Sequence, residues 1–292
     1  MDPALQGFLE RTVARHRRRF PAGTDIAAVL IDIERAAVVA HVGSADPTDP
    51  LDGLVDGARA TRSPGSALKP FVYGAAFDAG VLTPASRLED GPMDLAGWRP
   101  QNFEVDFGGS VTVGDALRRS LNLPALRAAG DAGLGRVIGV IEGAGVDLPA
   151  GAFDDTGLAL VTGGAAVTLV DLCTAYATLG RGGLHVPTRI FGDEPLEAPT
   201  RALSEVTCEA LFTILSDSAR APRVAGGMSH VGGHGFMWKT GTSSGHGDAL
   251  AAGHNHRHAL AVWVGRFDGA GGPSFVGQTA AEPILAEVFA GL

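Results

Sequence analysis

The chain has 292 residues, of which 45% are hydrophobic, 19% charged and 6% aromatic; this excludes disordered and fibrous classes and leaves ample length for a buried core. Its net charge is -9 and its pI about 5.4, which argues against nucleic acid as the main partner because phosphate binding needs a basic face. The 42 glycines point to many turns and loops.

Residues 8–20 predict a short helix that carries a basic run, Arg15 to Arg19. The segment 1–24 reads as a solvated helix or linker, with contact to an anionic lipid surface as the other use of such a run. Apolar, β-branched runs at 25–34 and 36–43 meet at Glu34-Arg35 and predict a hairpin. From Ser66 to Gly180 the period becomes helical, over 67–79, 113–120, 134–144 and 168–179, punctuated by Gly and Pro. A further helix is expected over 204–218, then strands over 235–242, 249–254 and 258–266, then a helix over 280–289. Strands at both ends thus flank a mostly helical insertion of about residues 63–220. The order predicts an α+β fold: an antiparallel sheet of about five strands, assembled from distant segments and covered by helices on both faces. The main domain is expected to span 25–292, without internal repeats.

Three features read as structural. Cys173 and Cys208 have neither a disulfide framework nor metal spacing, although one bridge between them stays open. Cys173 falls at a packed core position of a helical pattern. Residues 157–172 are apolar and glycine-rich and read as a buried helix and turn. Six of the nine histidines lie within 230–258, and His254-x-His256-x-His258 falls where a hairpin turns. With no second ligand cluster in the sequence, neither a metal nor a cofactor is expected. No run reaches ~18 uninterrupted apolar residues, and no apolar signal segment follows the first charges.

Only two of the 23 Lys plus Arg residues are lysine, Lys69 and Lys239. Arginine serves equally for a solvated charge but cannot release its proton near neutrality, whereas a desolvated lysine can. Lys69 ends an S-x-x-K motif, Ser66-Ala67-Leu68-Lys69, and Lys239 opens a K-T-G motif, Lys239-Thr240-Gly241. Between them lies an S-x-N motif, Ser120-Leu121-Asn122. With positions treated as independent, the ordered set arises by chance on the order of once in ten thousand.

The chemistry fits the spacing. A serine hydroxyl needs a base to attack at neutral pH, and residues three apart on a helix share a face, which puts Lys69 beside Ser66. Burial and a neighbouring ammonium at Lys239 would both favour neutral Lys69. Pro64-Gly65 lets a helix start at Ser66, which leaves the serine N–H without an intrahelical partner and available to an oxyanion. Ser120 and Asn122 are expected at a helix end or loop. Gly241 lets a substrate backbone approach the strand edge, while Thr240, Thr242 and charged Lys239 form a carboxylate site.

This ordered set resembles the penicillin-binding protein and serine β-lactamase superfamily. The strings Arg62-Ser63-Pro64-Gly65-Ser66-Ala67-Leu68-Lys69-Pro70-Phe71-Val72-Tyr73-Gly74 and Ala116-Leu117-Arg118-Arg119-Ser120-Leu121-Asn122-Leu123-Pro124-Ala125 resemble class A penicillin-binding proteins. Arg99-Pro100-Gln101-Asn102-Phe103, Lys239-Thr240-Gly241-Thr242-Ser243 and residues 262–269 point to their 1C branch.

The resemblance implies a D,D-transpeptidase that acts on D-Ala-D-Ala stem peptides of peptidoglycan, transfers the acyl group to an acceptor amine and is acylated by β-lactams at Ser66. In those roles Lys69 is the base, Ser120 a proton relay and Asn122 a substrate anchor. Lys239, Thr240 and Thr242 hold the terminal carboxylate, and the N–H groups of Ser66 and Thr242 form the oxyanion hole. The implied location is periplasmic or extracytoplasmic, with the membrane reached only through a segment absent from this chain. The chain resembles an excised or stand-alone transpeptidase domain, without the membrane helix and glycosyltransferase domain of class A proteins or the extra C-terminal domain of the 1C branch.

One departure is clear. Where the family carries an aromatic residue and an Arg-Asp pair, this chain has Ser244-Gly245-His246-Gly247-Asp248, which bears on donor-side specificity. A D,D-carboxypeptidase, a β-lactamase, an esterase and a noncatalytic β-lactam sensor or scaffold use the same residues and stay open. The β-lactamase reading lacks a Glu-x-x-Leu-Asn string after Asn122 to place a hydrolytic water.

Overall fold

The computed structural model describes residues 1–95, 97–104, 106–149, 157–190, 195–216 and 235–292. The helices among them, numbered in chain order, are α1 (Pro3–Arg17), α2 (Lys69–Asp78), α3 (Val113–Arg118), α4 (Asn122–Ala132), α5 (Leu134–Gly143), α6 (Leu169–Gly180), α7 (Glu205–Leu215), α8 (Gly277–Ala280) and α9 (Glu282–Ala290). The strands are β1 (Asp25–Asp32), β2 (Ala37–Val42), β3 (Arg87–Asp90), β4 (Gly109–Thr112), β5 (Leu184–His185), β6 (Thr200–Arg201), β7 (Met237–Thr242), β8 (Asp248–His254) and β9 (His258–Gly265). A five-stranded antiparallel sheet runs in the order β2-β1-β9-β8-β7. The α+β expectation holds, including the pairing of distant segments: Asp25 of β1 faces Gly265 of β9.

Both faces of the sheet are buried at its inner strands β1 and β9, which therefore read as near-continuous apolar runs rather than as an alternation with polar residues. On β1, Ala27, Val29 and Ile31 enter the core under the helical insertion, while Ile26, Ala28 and Leu30 enter a second core on the opposite face. β9 divides likewise, Ala261 and Trp263 against Leu260, Val262 and Val264. α6 is buried along most of its length and packs against β1, β8 and β9. The second core is closed by α1 and α9.

α1 is longer and better packed than a solvated helix or linker. Pro3 occupies its first turn, and the Asp2 carboxylate accepts the Ala4 and Leu5 N–H groups at 2.9 and 3.1 Å as an N-cap. Leu9, Thr12, Val13 and His16 then recur at helical spacing and are buried. His16 Nε2 lies 2.8 Å from Glu287 of α9, and Arg15 pairs with the same carboxylate. Only the outer face of the basic run is solvated, with Arg15, Arg18 and Arg19 exposed.

Other expectations meet the structure differently. Cys173 is buried and its thiol donates to Val29 O at 3.3 Å, but both cysteines are free, so the bridge left open does not form. The expected run 157–172 forms a 3-10 turn over Gly157–Thr162 followed by the start of α6. The histidine run does turn a hairpin between β8 and β9. His254 is buried, and burial first, then the nearby His256 charge, pushes its imidazole down to about 3. His230 and His234 of that cluster lie outside the described residues, and no group of three or more ligating side chains is present among the described ones. Helix α4 and the short β3-β4 ribbon are additions that the sequence pattern did not reveal.

Candidate active site

Three elements meet: a 3-10 turn over Gly65–Leu68 that runs into α2, the tight connection between α3 and α4, and the end of edge strand β7. The turn and β7 touch backbone to backbone. A Cβ on Gly65, whose φ is +52, would stand 2.6 Å from Thr242 N, and one on Gly241 would stand 2.1 Å from Pro64 O. Both positions therefore exclude side chains so that Ser66 can sit against the strand. Gly241 was expected to admit a substrate backbone; its close neighbour is instead this chain's own turn. Tyr176 of α6 fixes the turn from below, its hydroxyl donating to Ala67 O at 2.8 Å.

Ser66 is half-buried at the start of this turn, and Lys69, one turn on, is fully buried. The Lys69 ammonium donates to Ser120 O at 2.6 Å, Leu121 O at 3.1 Å and Asn122 Oδ1 at 2.6 Å. Its three protons thus have three acceptors, and Ser66, expected beside it, is not among them. Those acceptors favour the charged form while burial disfavours it. Burial wins and pushes the amine down to about 7. The expected help from the Lys239 charge is not needed for this shift, whose cause is burial.

Ser120 joins the two lysines. Its carbonyl accepts from Lys69, and its hydroxyl accepts from Lys239 Nζ at 2.7 Å. The residue has a φ of 61°, a left-handed conformation that costs a non-glycine residue roughly 1–2 kcal/mol. That turn lets one residue present its carbonyl to one lysine and its hydroxyl to the other. Lys239 is buried at 1% exposure and also donates to Thr240 O at 2.9 Å. Asn122 opens α4, and its side-chain amide bridges Lys69 and Gln101 O, the latter at 2.7 Å.

Thr240 and Thr242 are half-buried, and buried Gly241 lies between them on the strand. The Thr242 hydroxyl accepts Gly277 N–H at 3.0 Å, which leaves its own proton for another acceptor. All eight residues singled out from the sequence thus lie on these three elements.

The sequence model for the "Penicillin binding protein transpeptidase domain" family matches residues 26–280. The chain belongs to that family. It is 37% identical over 297 aligned residues to penicillin-binding protein 1C of Escherichia coli, covering 99% of this chain and 37% of the relative. Penicillin-binding protein 1A of Neisseria cinerea is 29% identical across 81% of this chain and 32% of its own length. The chain therefore spans about a third of the curated relatives it matches. Among solved structures, Mycobacterium tuberculosis PonA1 in complex with penicillin V superposes with a TM-score of 0.82 at 22% identity, over 100% of this chain and 84% of that one. The transpeptidase domain of Burkholderia pseudomallei penicillin-binding protein 3 gives 0.79 at 22% identity, over 100% and 93%. These likenesses share the fold of the transpeptidase domain.

In this penicillin-binding transpeptidase domain, the segment after the K-T-G strand is built differently from the expected aromatic and Arg-Asp pattern. Ser244–His246 forms a 3-10 turn, and the His246 ring meets the exposed Phe103 ring edge-on at 5.7 Å between centroids. Asp248 closes the turn: its N–H donates to Ser243 Oγ at 2.8 Å and its carboxylate accepts Trp263 Nε1–H at 2.8 Å. Arg62 lies 3.9 Å from that carboxylate and stacks over Trp263, 4.9 Å from the ring centroid. In the sequence, Arg62 stands in a family string, Trp263 falls within the family-like residues 262–269, and Asp248 belongs to the departure from the family pattern. Their bracing role joins residues about 200 positions apart in the sequence, and no local pattern signals it.

Proposed function

We propose that this domain is a serine D,D-transpeptidase of peptidoglycan synthesis, with Ser66 as nucleophile, working at the periplasmic or extracytoplasmic face. The observation that carries this reading is the placement of Ser120 between two buried lysines, one of them lowered to about 7. A lysine poised there is neutral for a large part of the time at physiological pH, as a general base requires.

In the proposed reaction, Ser66 Oγ bonds to the penultimate D-Ala carbonyl carbon, and its proton passes to neutral Lys69. The backbone N–H groups of Ser66 and Thr242 stabilise the oxyanion; their juxtaposition is supported by the close approach of Gly65 to Thr242. Collapse breaks the C–N bond of the terminal D-Ala. Its nitrogen takes a proton through Ser120, which Lys239 orients. An acceptor amine then attacks the ester carbon, loses its proton to the same base system and restores the Ser66 hydroxyl. Asn122 has one Nδ2 proton on Gln101 O, and the other is assigned to a substrate carbonyl. Lys239, Thr240 and Thr242 hold the terminal carboxylate, and β-lactams enter by the same acylation.

The test is intact mass after penicillin treatment of wild type and Ser66→Ala, followed over hours. A stable adduct on wild type and none on the variant is the expected result. Rapid return to the free mass would favour a β-lactamase, and an adduct on Ser66→Ala would overturn the nucleophile assignment.

A further inference from the structure

Arg99-Pro100-Gln101-Asn102-Phe103 carries part of the family resemblance, yet none of its side chains has a part in the proposed catalytic roles. Asn102 is buried at 6% exposure and has its hydrogen-bonding capacity fully engaged. Its Nδ2 donates to Asp90 Oδ1 at 2.7 Å and to Asp106 O at 3.0 Å. Its Oδ1 accepts the Asn122 N–H at 2.8 Å and the Leu123 N–H at 3.4 Å. Two acceptors around the nitrogen and two donors around the oxygen permit one amide orientation.

Those two N–H groups belong to the first turn of α4, where no intrahelical acceptor exists. The helix has no local cap, because its N-cap position is Leu121 and contributes no side-chain hydrogen bond. Asn102 therefore caps α4 from twenty residues away. Asp90, at 0% exposure at the end of β3, holds Asn102 in turn and takes the Gly108 N–H at 2.8 Å with its other oxygen. Gln101, the adjacent residue, accepts the Asn122 side-chain N–H at 2.7 Å. The segment thus grips Asn122 by its backbone and its side chain, and Asn122 Oδ1 lies 2.6 Å from Lys69 Nζ.

We infer that Asp90 and Asn102 are positioning residues for acylation: through the Asn102 cap they set Asn122, and through Asn122 they set the Lys69 amine. This rests on the transpeptidase reading of Lys69 and Asn122. A side chain misplaced by about 1 Å at a reacting centre costs as much as 100-fold in rate, so loss of the grip should appear in the chemical step.

The experiment is stopped-flow acylation by a fluorescent penicillin at saturating concentrations, which separates the acylation rate constant k2 from the binding constant. Active sites are titrated so that rates refer to folded molecules. Asn102→Ala, Asp90→Asn and Asn102→Asp should each lower k2 at least about tenfold. The exchange Asp90→Asn with Asn102→Asp should recover part of the loss relative to either single. The amide at 90 donates to the carboxylate at 102 and still accepts from Gly108, and that carboxylate accepts from Asn122 and Leu123. Its second oxygen cannot donate to Asp106 O as Asn102 Nδ2 does at 3.0 Å. Leu9→Ala, in the far core, serves as a control for destabilisation alone and should keep the wild-type k2. If Asn102→Ala does not fold, the two polar singles and their exchange decide. Wild-type k2 in any single variant, or no recovery in the exchange, overturns the inference. Labelling of Ser66→Ala in parallel would sink the parent reading instead, and so tells the two failures apart.

Discussion

The lowered Lys69 pKa makes the pH dependence of acylation a direct test of the base. An amine with a pKa of about 7 instead of 10.5 is roughly 90% neutral at about pH 8 and about 1% neutral at about pH 5. The second-order acylation constant should therefore fall about tenfold per pH unit on the acid side, and close to 100-fold between those limits. An unshifted lysine would give about 0.3% neutral amine at about pH 8, and the rate would still be climbing at about pH 9. The sign of the linked stability change separates this limb from unfolding. Because folding lowers this pKa, the buried charge penalises the fold progressively as pH falls from about 10.5 to about 7; below that both states are protonated and the penalty is constant. Lys69 thus adds no acid unfolding across the limb. Buried His254 does: it stays neutral in the fold down to about 3 against 6.5 unfolded, which removes on the order of 2 kcal/mol by about pH 5. Stopped-flow labelling with active-site titration at each pH corrects for it. A rate that is flat from about pH 5 to pH 9 would show that Lys69 is not the group that titrates. Lys69→Arg should give no adduct at any pH, since the guanidinium keeps its proton, and full labelling of that variant would also refute the base assignment.

Gly241→Ala places a Cβ 2.1 Å from Pro64 O, so it should cost about 1–3 kcal/mol in a denaturant melt and slow acylation more than tenfold by pushing the Ser66 turn off β7. Unchanged kinetics would mean that the turn yields. Ser120→Ala and Ser120→Gly both remove the hydroxyl that accepts from Lys239 and should acylate about 100-fold more slowly than wild type. The glycine variant should be the more stable of the two by roughly 1 kcal/mol, because it relieves the φ of 61°; equal stability would show that this conformation carries no strain. Leu9→Ala, which empties a fully buried site under α1, should lower stability by about 2–5 kcal/mol, and a thermal melt that does not move would mean that α1 packs only loosely.

What the sequence revealed follows from the range over which each signal acts. β1 and β9 were legible because burial on both faces makes them continuous apolar runs, each with a turn beside it. α4 was not, because two of its start signals are absent or displaced: its N-cap is Leu121, and the side chain that caps it belongs to Asn102. α1 was seen as a helix but not as part of the core, since its buried stripe of Leu9, Thr12, Val13 and His16 includes two polar residues. In the site, S-x-x-K and K-T-G are local and stood out, while Lys69's acceptors arrive from a turn more than fifty residues away.

The scarcity of lysine marked both residues, but arginine's inability to release a proton explained only Lys69. The geometry supplies the reason for Lys239. It is buried at 1% exposure and delivers one nitrogen to the Ser120 hydroxyl at 2.7 Å and to the carbonyl of its neighbour Thr240 at 2.9 Å. A lysine ends in a single compact point donor, whereas a guanidinium is a planar fork of five N–H groups. At a site this enclosed, the fork would have to place its unused donors against the strand backbone or the Ser120 turn, and each unpaired N–H there costs on the order of 1–3 kcal/mol. Lys239→Arg should therefore be worse than a like-charge exchange: acylation should fall and the melt should drop together, and a variant with wild-type acylation would show that the site asks only for a positive charge.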